Sequence, residues 1–182
     1  GGESRRMGRD KADIELHGKT LLQHAGDALA PLFSEVLVSV HAPRCELKLP
    51  QVVDDFAGRG PMVGIASALS VIQTDWLFVV GCDMPYLSAP LLRHMAGMRQ
   101  GHAAVVAEIG GHLQPMPAFY AKETCLPAMQ TALEQSRRSL MRLIPSLHTA
   151  ILHEHDLRPF DRDLRSFTDF DTPEDLAACY EL

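Results

Sequence analysis

Short runs rich in Val, Ile, Leu and Phe alternate with segments of helical period along this chain, and that alternation admits few architectures. Residues 35–41, 51–54, 76–80, 103–108, 149–153 and 166–170 read as strands bounded by polar or turn-forming residues. Between the first of them and the N-terminus, Leu21, Leu22, Ala25, Ala28, Leu29 and Leu32 fall at helical spacing. Pro61 opens a second helix running to Gln73, and Ser88 can cap a third over 89–98, with Pro90 in its first turn. Residues 122–135 and 139–143 predict two more helical pieces. Thr172-Pro173-Glu174-Asp175 opens a last one, with acids at its positive end. The apolar run Trp76–Val80 predicts a buried, central strand. Residues 114–120 are extended in character but contain Pro115 and Pro117, which predicts an edge strand or a covering flap. Strands alternating with helices imply a three-layer α/β fold with a mainly parallel central sheet. No internal repeat, linker or low-complexity tract divides the chain, so residues 1–182 read as a single domain.

Composition excludes some functions. At 182 residues and 46% hydrophobic the chain can bury a core, but no stretch approaches the roughly 18 apolar residues of a membrane span. A net charge of −6 argues against a general nucleic-acid binder. Cys45, Cys82, Cys125 and Cys179 are far apart and form no Cys-x-x-Cys pair, which favours free thiols in a reducing cytosol, and a cytoplasmic location is the expectation. His153-Glu154-His155 could put two imidazoles on one face of a strand. No further close ligand completes a zinc set.

Four segments carry chemistry. The opening Gly1-Gly-Glu-Ser-Arg-Arg-Met-Gly-Arg-Asp-Lys11 pairs adjacent glycines, which let a backbone turn its N–H groups toward phosphate oxygens, with Arg6 and Lys11 to neutralise their charge. It matches neither the dinucleotide fingerprint nor the Walker loop, and a solvated basic arm is the plainer alternative. A turn of this kind is normally fed by a strand, and the chain begins inside the turn, so the expectation is that apolar residues precede Gly1. Gly81-Cys-Asp-Met-Pro85 follows an apolar strand directly. In open α/β sheets ligands bind beyond the carboxyl ends of the strands, and a lone carboxylate such as Asp83 suits Mg2+ shared with substrate phosphates. Asp54-Asp55 precedes the glycine-rich stretch from Gly58 to Gly64, which predicts a loop closing over a ligand, with Asp55 free to accept hydrogen bonds from a base or ribose. Asp169 and Asp171 alternate on a presumed strand, so one of them is a candidate second metal ligand.

Together, in this order, the segments resemble the molybdenum cofactor guanylyltransferases. That family runs Leu-Ala-Gly-Gly-x-Ser-x-Arg-Met-Gly-x-x-Lys, an Asp before Gly-Pro-Leu-x-Gly, Cys-Asp-x-Pro, Gln-Pro, and a late Asn-Thr-Pro-Glu-Asp-Leu. The resemblance covers essentially the whole chain and implies a Rossmann-like nucleotidyltransferase fold. It also implies an enzyme that moves GMP from GTP to the phosphate of molybdopterin and releases pyrophosphate. By position it makes Gly1, Gly2 and Lys11 the phosphate loop, with Arg6 and Lys11 beside the reacting phosphate. It puts Ser39 and Asp55 on the nucleotide and Asp83 and Asp171 on magnesium. Gln114, Pro115 and Arg138, the last within Arg137-Arg138-Ser139-Leu-Met-Arg142, fall on the acceptor side. Transient contact with molybdoenzymes or their chaperones follows from the need to pass on an air-sensitive product. The chain departs from the family at Asp169-Phe-Asp171-Thr-Pro, where Asn-x-Asn-Thr-Pro is common; relatives that use CTP tend to have Asp there. The alternatives are therefore a cytidylyltransferase, a nucleotidyltransferase for another phosphorylated acceptor, and a non-catalytic module that binds nucleotide or delivers cofactor.

Overall fold

The computed structural model describes residues 11–56 and 58–170. A 3-10 turn at Lys11–Asp13 leads into a small hairpin of β1 (Glu15–Leu16) and β2 (Lys19–Thr20), then α1 (Leu21–Leu29). Thr20 caps this helix reciprocally: its hydroxyl accepts from Gln23 N at 3.1 Å while the Gln23 side chain accepts from Thr20 N at 2.8 Å. Next come β3 (Val38–Val40), β4 (Gln51–Val53), α2 (Pro61–Val71), β5 (Trp76–Val79) and α3 (Ala89–Gly97). The chain continues through β6 (Ala104–Ile109), β7 (His112–Ala121), α4 (Lys122–Glu134), α5 (Leu140–Leu143), β8 (Thr149–His153) and α6 (Glu154–Leu157). The helix expected from Thr172 lies outside the described residues.

The layers follow from side-chain alternation along the strands. On one face Ala104, Val106, Ala118 and Tyr120 pack against α2, α4 and α5; on the other Val105, Ala107, Phe119, Ala150 and Leu152 pack against α3 and Leu157 of α6. This is the expected three-layer α/β arrangement, but the sheet is mixed where a mainly parallel one was expected. Among the described residues β3 pairs with β4 and β6 with β8 in parallel, while β7 runs antiparallel between β5 and β6. The cause is a tight hairpin: Ile109 pairs with His112 across Gly110-Gly111, both with positive φ (58° and 76°), the backbone that a two-residue hairpin turn requires.

One further expectation is refined and another corrected. The segment with Pro115 and Pro117 belongs to β7, which is internal over Ala118–Ala121 but is paired on the β6 side alone before that, so its proline-bearing part is edge-like as expected. Its ladder to β5 stops at Ala118 and its ladder to β6 is irregular between Val105 and Ala107, so both prolines sit where no ladder N–H is required. Residues 166–170 do not form a strand. Asp161 accepts from Arg165 N and Ser166 N, the Ser166 hydroxyl accepts from Ser88 N, and Leu164 takes φ 54°, so side chains use the donors and the chain turns at Arg165–Phe167. The buried strand is β6, from Ala104 to Ala107; β5 is half-buried, with β7 on one side and a cleft of about 1100 Å3 between it and the approach to β3.

Burial also sorts the thiols. Cys125 is fully buried on α4 with its Sγ 3.1 Å from the Ala103 carbonyl, and desolvation pushes its pKa up to about 11. Cys45 is exposed. An alkylating reagent at neutral pH is expected to modify Cys45 in the native protein and to reach Cys125 only after unfolding. Peptide mapping after timed labelling checks this, and equal native rates at the two sites would contradict the packing.

Candidate active site

The carboxyl end of β5 turns sharply at Gly81, whose carbonyl accepts from Met84 N at 3.2 Å. The Asp83 side chain folds back over Gly81, and a Cβ on that glycine would collide with Asp83 Oδ1. Asp83 Oδ2 accepts from Lys11 Nζ at 2.9 Å, with the two side chains 21% and 17% exposed. Residues 72 positions apart thus meet as a partly shielded ion pair, where opposite charges interact more strongly than in open water. Each side of the pair is anchored. Asp13, in the Lys11 turn, binds Arg44 from the β3–β4 connection. Ile14, Leu16, Leu21 and Phe170 form a small buried cluster with Tyr86 against it, and Phe170 N donates to the Asp83 carbonyl at 3.0 Å.

A second group lies at the ends of β3 and β4. The Ser39 hydroxyl donates to Asp54 Oδ1 at 3.0 Å, and Gly64 of α2 lies so close that a Cβ there would strike that hydroxyl. The Asp54 carboxylate is only 5% exposed, with His41 Nδ1 4.0 Å away; a carboxylate so buried needs such partners. Asp55, by contrast, is exposed, and its backbone N–H is pinned by the fully buried Ser67 hydroxyl at 3.0 Å. The interior therefore holds Asp54 and presents Asp55 outward.

Of the residues singled out by sequence, Lys11 and Asp83 are brought into contact, and Ser39 and Asp55 occupy one neighbourhood, with the Ser39 hydroxyl committed to Asp54. The Arg138 guanidinium lies against Gly58, filling the place a Cβ would take with its Cζ 2.6 Å from that point. Arg138 accordingly adjoins the turn that follows Asp55. Gln114 and Pro115 belong to β7, where Gln114 Nε2 donates to the His112 carbonyl and the Pro115 carbonyl accepts from Tyr120 Oη at 2.8 Å. Burial pushes the Tyr120 phenol well above its ordinary pKa, so it stays a donor. Gly1, Gly2, Arg6 and Asp171 lie outside the described residues. The sequence reading missed the supporting roles of His41, Asp54 and Ser67. An isolated His or Ser has no periodic signature; only the paired Asp54-Asp55 could have pointed to a buried and an exposed carboxylate.

Among the described residues no group of three or more His, Cys, Asp or Glu side chains could hold a metal ion alone. His153 ends β8 and His155 lies on α6; their rings stack at 5.9 Å, and His153 Nδ1 approaches Glu108 Oε1 at 3.1 Å. Asp83 suits a different cation chemistry, a hard ion held by one carboxylate and completed by phosphate oxygens. Its carboxylate, seated over a glycine and partly open to solvent, fits that role. Also among the described residues, no helix is long and apolar enough to cross a membrane.

Residues 1–152 match the model of the MobA-like NTP transferase domain. The molybdenum cofactor guanylyltransferase of Syntrophotalea carbinolica is 32% identical over 97% of this chain and 85% of its own length. That of Vibrio cholerae is 31% identical over 97% and 86%. Among solved structures, molybdopterin-guanine dinucleotide biosynthesis protein A from Archaeoglobus fulgidus aligns with a TM-score of 0.87 at 25% identity, over 100% of this chain and 94% of the other. The 2-C-methyl-D-erythritol 4-phosphate cytidylyltransferase of Thermus thermophilus shares the fold, with a TM-score of 0.71 at 17% identity over 94% and 92%. A family match over residues 1–152, with relatives above 30% identity covered along most of their length, means that the chain belongs to the MobA-like NTP transferase family.

Proposed function

We propose that this chain transfers GMP from GTP to the terminal phosphate of molybdopterin, releasing pyrophosphate and forming the guanine dinucleotide cofactor. The observation that carries the reading is the Lys11–Asp83 pair at the carboxyl end of β5, beside strand ends that present Asp55. A cation and a carboxylate in contact at a ligand-binding edge suit a polyphosphate and its counter-ion. The names of the relatives supply the acceptor and the base.

An acceptor phosphate oxygen attacks the α-phosphorus of GTP in line. The new P–O bond forms as the bond to the bridging α–β oxygen breaks, and pyrophosphate leaves with that electron pair. No protein nucleophile is required, because the attacking phosphate is already ionised at neutral pH; the protein positions the reactants and balances charge. Lys11 offsets the charge of the phosphates, aided by Arg6 and the Gly1-Gly2 amides. Asp55 accepts hydrogen bonds from the nucleoside. Gln114, Pro115 and Arg138 face the acceptor, with Arg138 reaching it from its seat on Gly58. Asp83, with Asp171, would hold Mg2+, which when bound supplies electrostatic stabilisation of phosphate charge.

Pyrophosphate release tests the reading, with magnesium, molybdenum-loaded molybdopterin, and GTP or CTP in parallel. Turnover with GTP is expected and turnover with CTP alone is not. Nucleotide binding without pyrophosphate release under either condition would overturn the enzymatic reading in favour of a binding module.

A further inference from the structure

The turn at Arg165–Phe167 carries a cation that the reaction above does not use. Its backbone is held in place: Asp161 accepts from Arg165 N at 3.2 Å and from Ser166 N at 2.8 Å, and Leu164 takes φ 54°. The Asp161 carboxylate is committed to these main-chain donors and leaves the Arg165 guanidinium unneutralised. That side chain is exposed, and its Cζ lies over the Tyr86 ring, 4.1 Å from the centroid. Among the described residues no carboxylate pairs with it and no acceptor takes its side-chain N–H groups. In a chain of net charge −6, an ordered guanidinium with no counter-ion is set apart.

Tyr86 fixes where this cation stands. It follows Asp83 by three residues, so its Cα lies within about 11 Å of the Asp83 Cα even along a fully extended chain. Its ring meets the edge of Phe170 at 5.7 Å, and Phe170 N donates to the Asp83 carbonyl at 3.0 Å. One aromatic layer thus joins Arg165 to the segment that seats Asp83. Lys11 is the first cation at that segment, and Arg165 is the second. A guanidinium stacked on an aromatic face keeps its in-plane N–H groups for a bidentate bond to phosphate oxygens, and the stacking reduces the freedom lost when that bond forms. Resting on the guanylyl reading above, we infer that Arg165 binds a phosphate group of one substrate beside Asp83 and that Tyr86 is the positioning residue that aims it. That phosphate is the acceptor's monoester or belongs to the nucleotide's polyphosphate; both present the same oxyanion.

The test is anaerobic calorimetry of molybdopterin and of GTP with the chain and its variants, without magnesium. Leaving magnesium out removes any contribution that Asp83 makes through a bound cation. Arg165→Ala is expected to weaken one ligand roughly 10- to 100-fold, the range of a hydrogen bond to a charged group, and to leave the other unchanged. Loss with molybdopterin assigns the acceptor's phosphate, and loss with GTP assigns the nucleotide's. Arg165→Lys keeps the charge but neither the plane nor the paired donors, so it should recover only part of the loss. Tyr86→Phe keeps a ring under the cation and should bind close to wild type, whereas Tyr86→Leu should fall between wild type and Arg165→Ala. The Tyr86→Leu, Arg165→Ala double variant should be no weaker than Arg165→Ala, because both substitutions act on one contact. An exposed cation–π contact adds little stability, so the melting temperature of Arg165→Ala should stay near that of wild type. Equal weakening of both ligands, as a merely structural role would produce, or no weakening of either, overturns this assignment and leaves the guanylyl reading standing. A wild type that binds neither ligand, with or without magnesium, overturns both.

Discussion

Asp83→Asn is expected to lower the rate of pyrophosphate release by a factor of roughly 10²–10³, comparable to removing one preorganised electrostatic contact in other enzymes, while the fold stays intact. Asparagine has nearly the same shape, and its amide oxygen can still accept from Lys11 Nζ in the position where Asp83 Oδ2 does so at 2.9 Å. The main-chain bond from Phe170 N to the Asp83 carbonyl is untouched by the change. What is lost is one negative charge, which removes the ion pair between Lys11 and position 83 and would leave a bound cation without that carboxylate. The loss should fall mainly on the chemical step, because Lys11 remains able to meet the phosphates. Single-turnover pyrophosphate release and a thermal melt on the same preparation separate the two effects. Near-normal release in a well-folded variant would remove Asp83 from the reacting centre.

Asp83 could be singled out from sequence because the signal is local: an apolar strand, a glycine, then a carboxylate before proline. Its partner was legible only as a candidate, since nothing in the spacing of Lys11 and Asp83 says that they touch. The packing of Phe170, Ile14, Leu16 and Leu21 decides that, and it joins the two ends of the described chain. The same contrast runs through the fold. Helix starts at Thr20, Pro61 and Ser88 were readable from capping chemistry within a few residues. The antiparallel β6–β7 hairpin was signalled by Gly110-Gly111, a pair that favours a two-residue turn, yet Pro115 and Pro117 argued against a central strand. The observed register resolves the conflict by placing both prolines beyond the end of the β5 ladder and opposite the irregularity in β6. Ser39 illustrates the limit at side-chain level. Its place on a strand was predictable, whereas the commitment of its hydroxyl to Asp54 depends on how closely Gly64 of α2 approaches.

Phe170→Ala is expected to cost about 3–5 kcal/mol of local packing, as for other buried aromatic truncations, and to disable the site from a distance. Phe170 is 1% exposed, meets the edge of Tyr86 at a ring separation of 5.7 Å, and shares its cluster with Ile14, Leu16 and Leu21. That cluster lies apart from the two larger ones, which pack along the sheet, so the loss should first free the Lys11 turn and its hairpin and leave the three-layer core standing. Small, separately packed units open below the global free energy. Hydrogen exchange should therefore rise over 14–21 far more than over β6, and the KM for GTP should rise as Lys11 leaves Asp83. Phe170→Leu, which refills most of the volume, should recover much of both losses. If the substitution instead lowered protection equally across β6 and residues 14–21, the cluster would be part of one cooperative core, and its role in seating Lys11 over Asp83 would have to be given up.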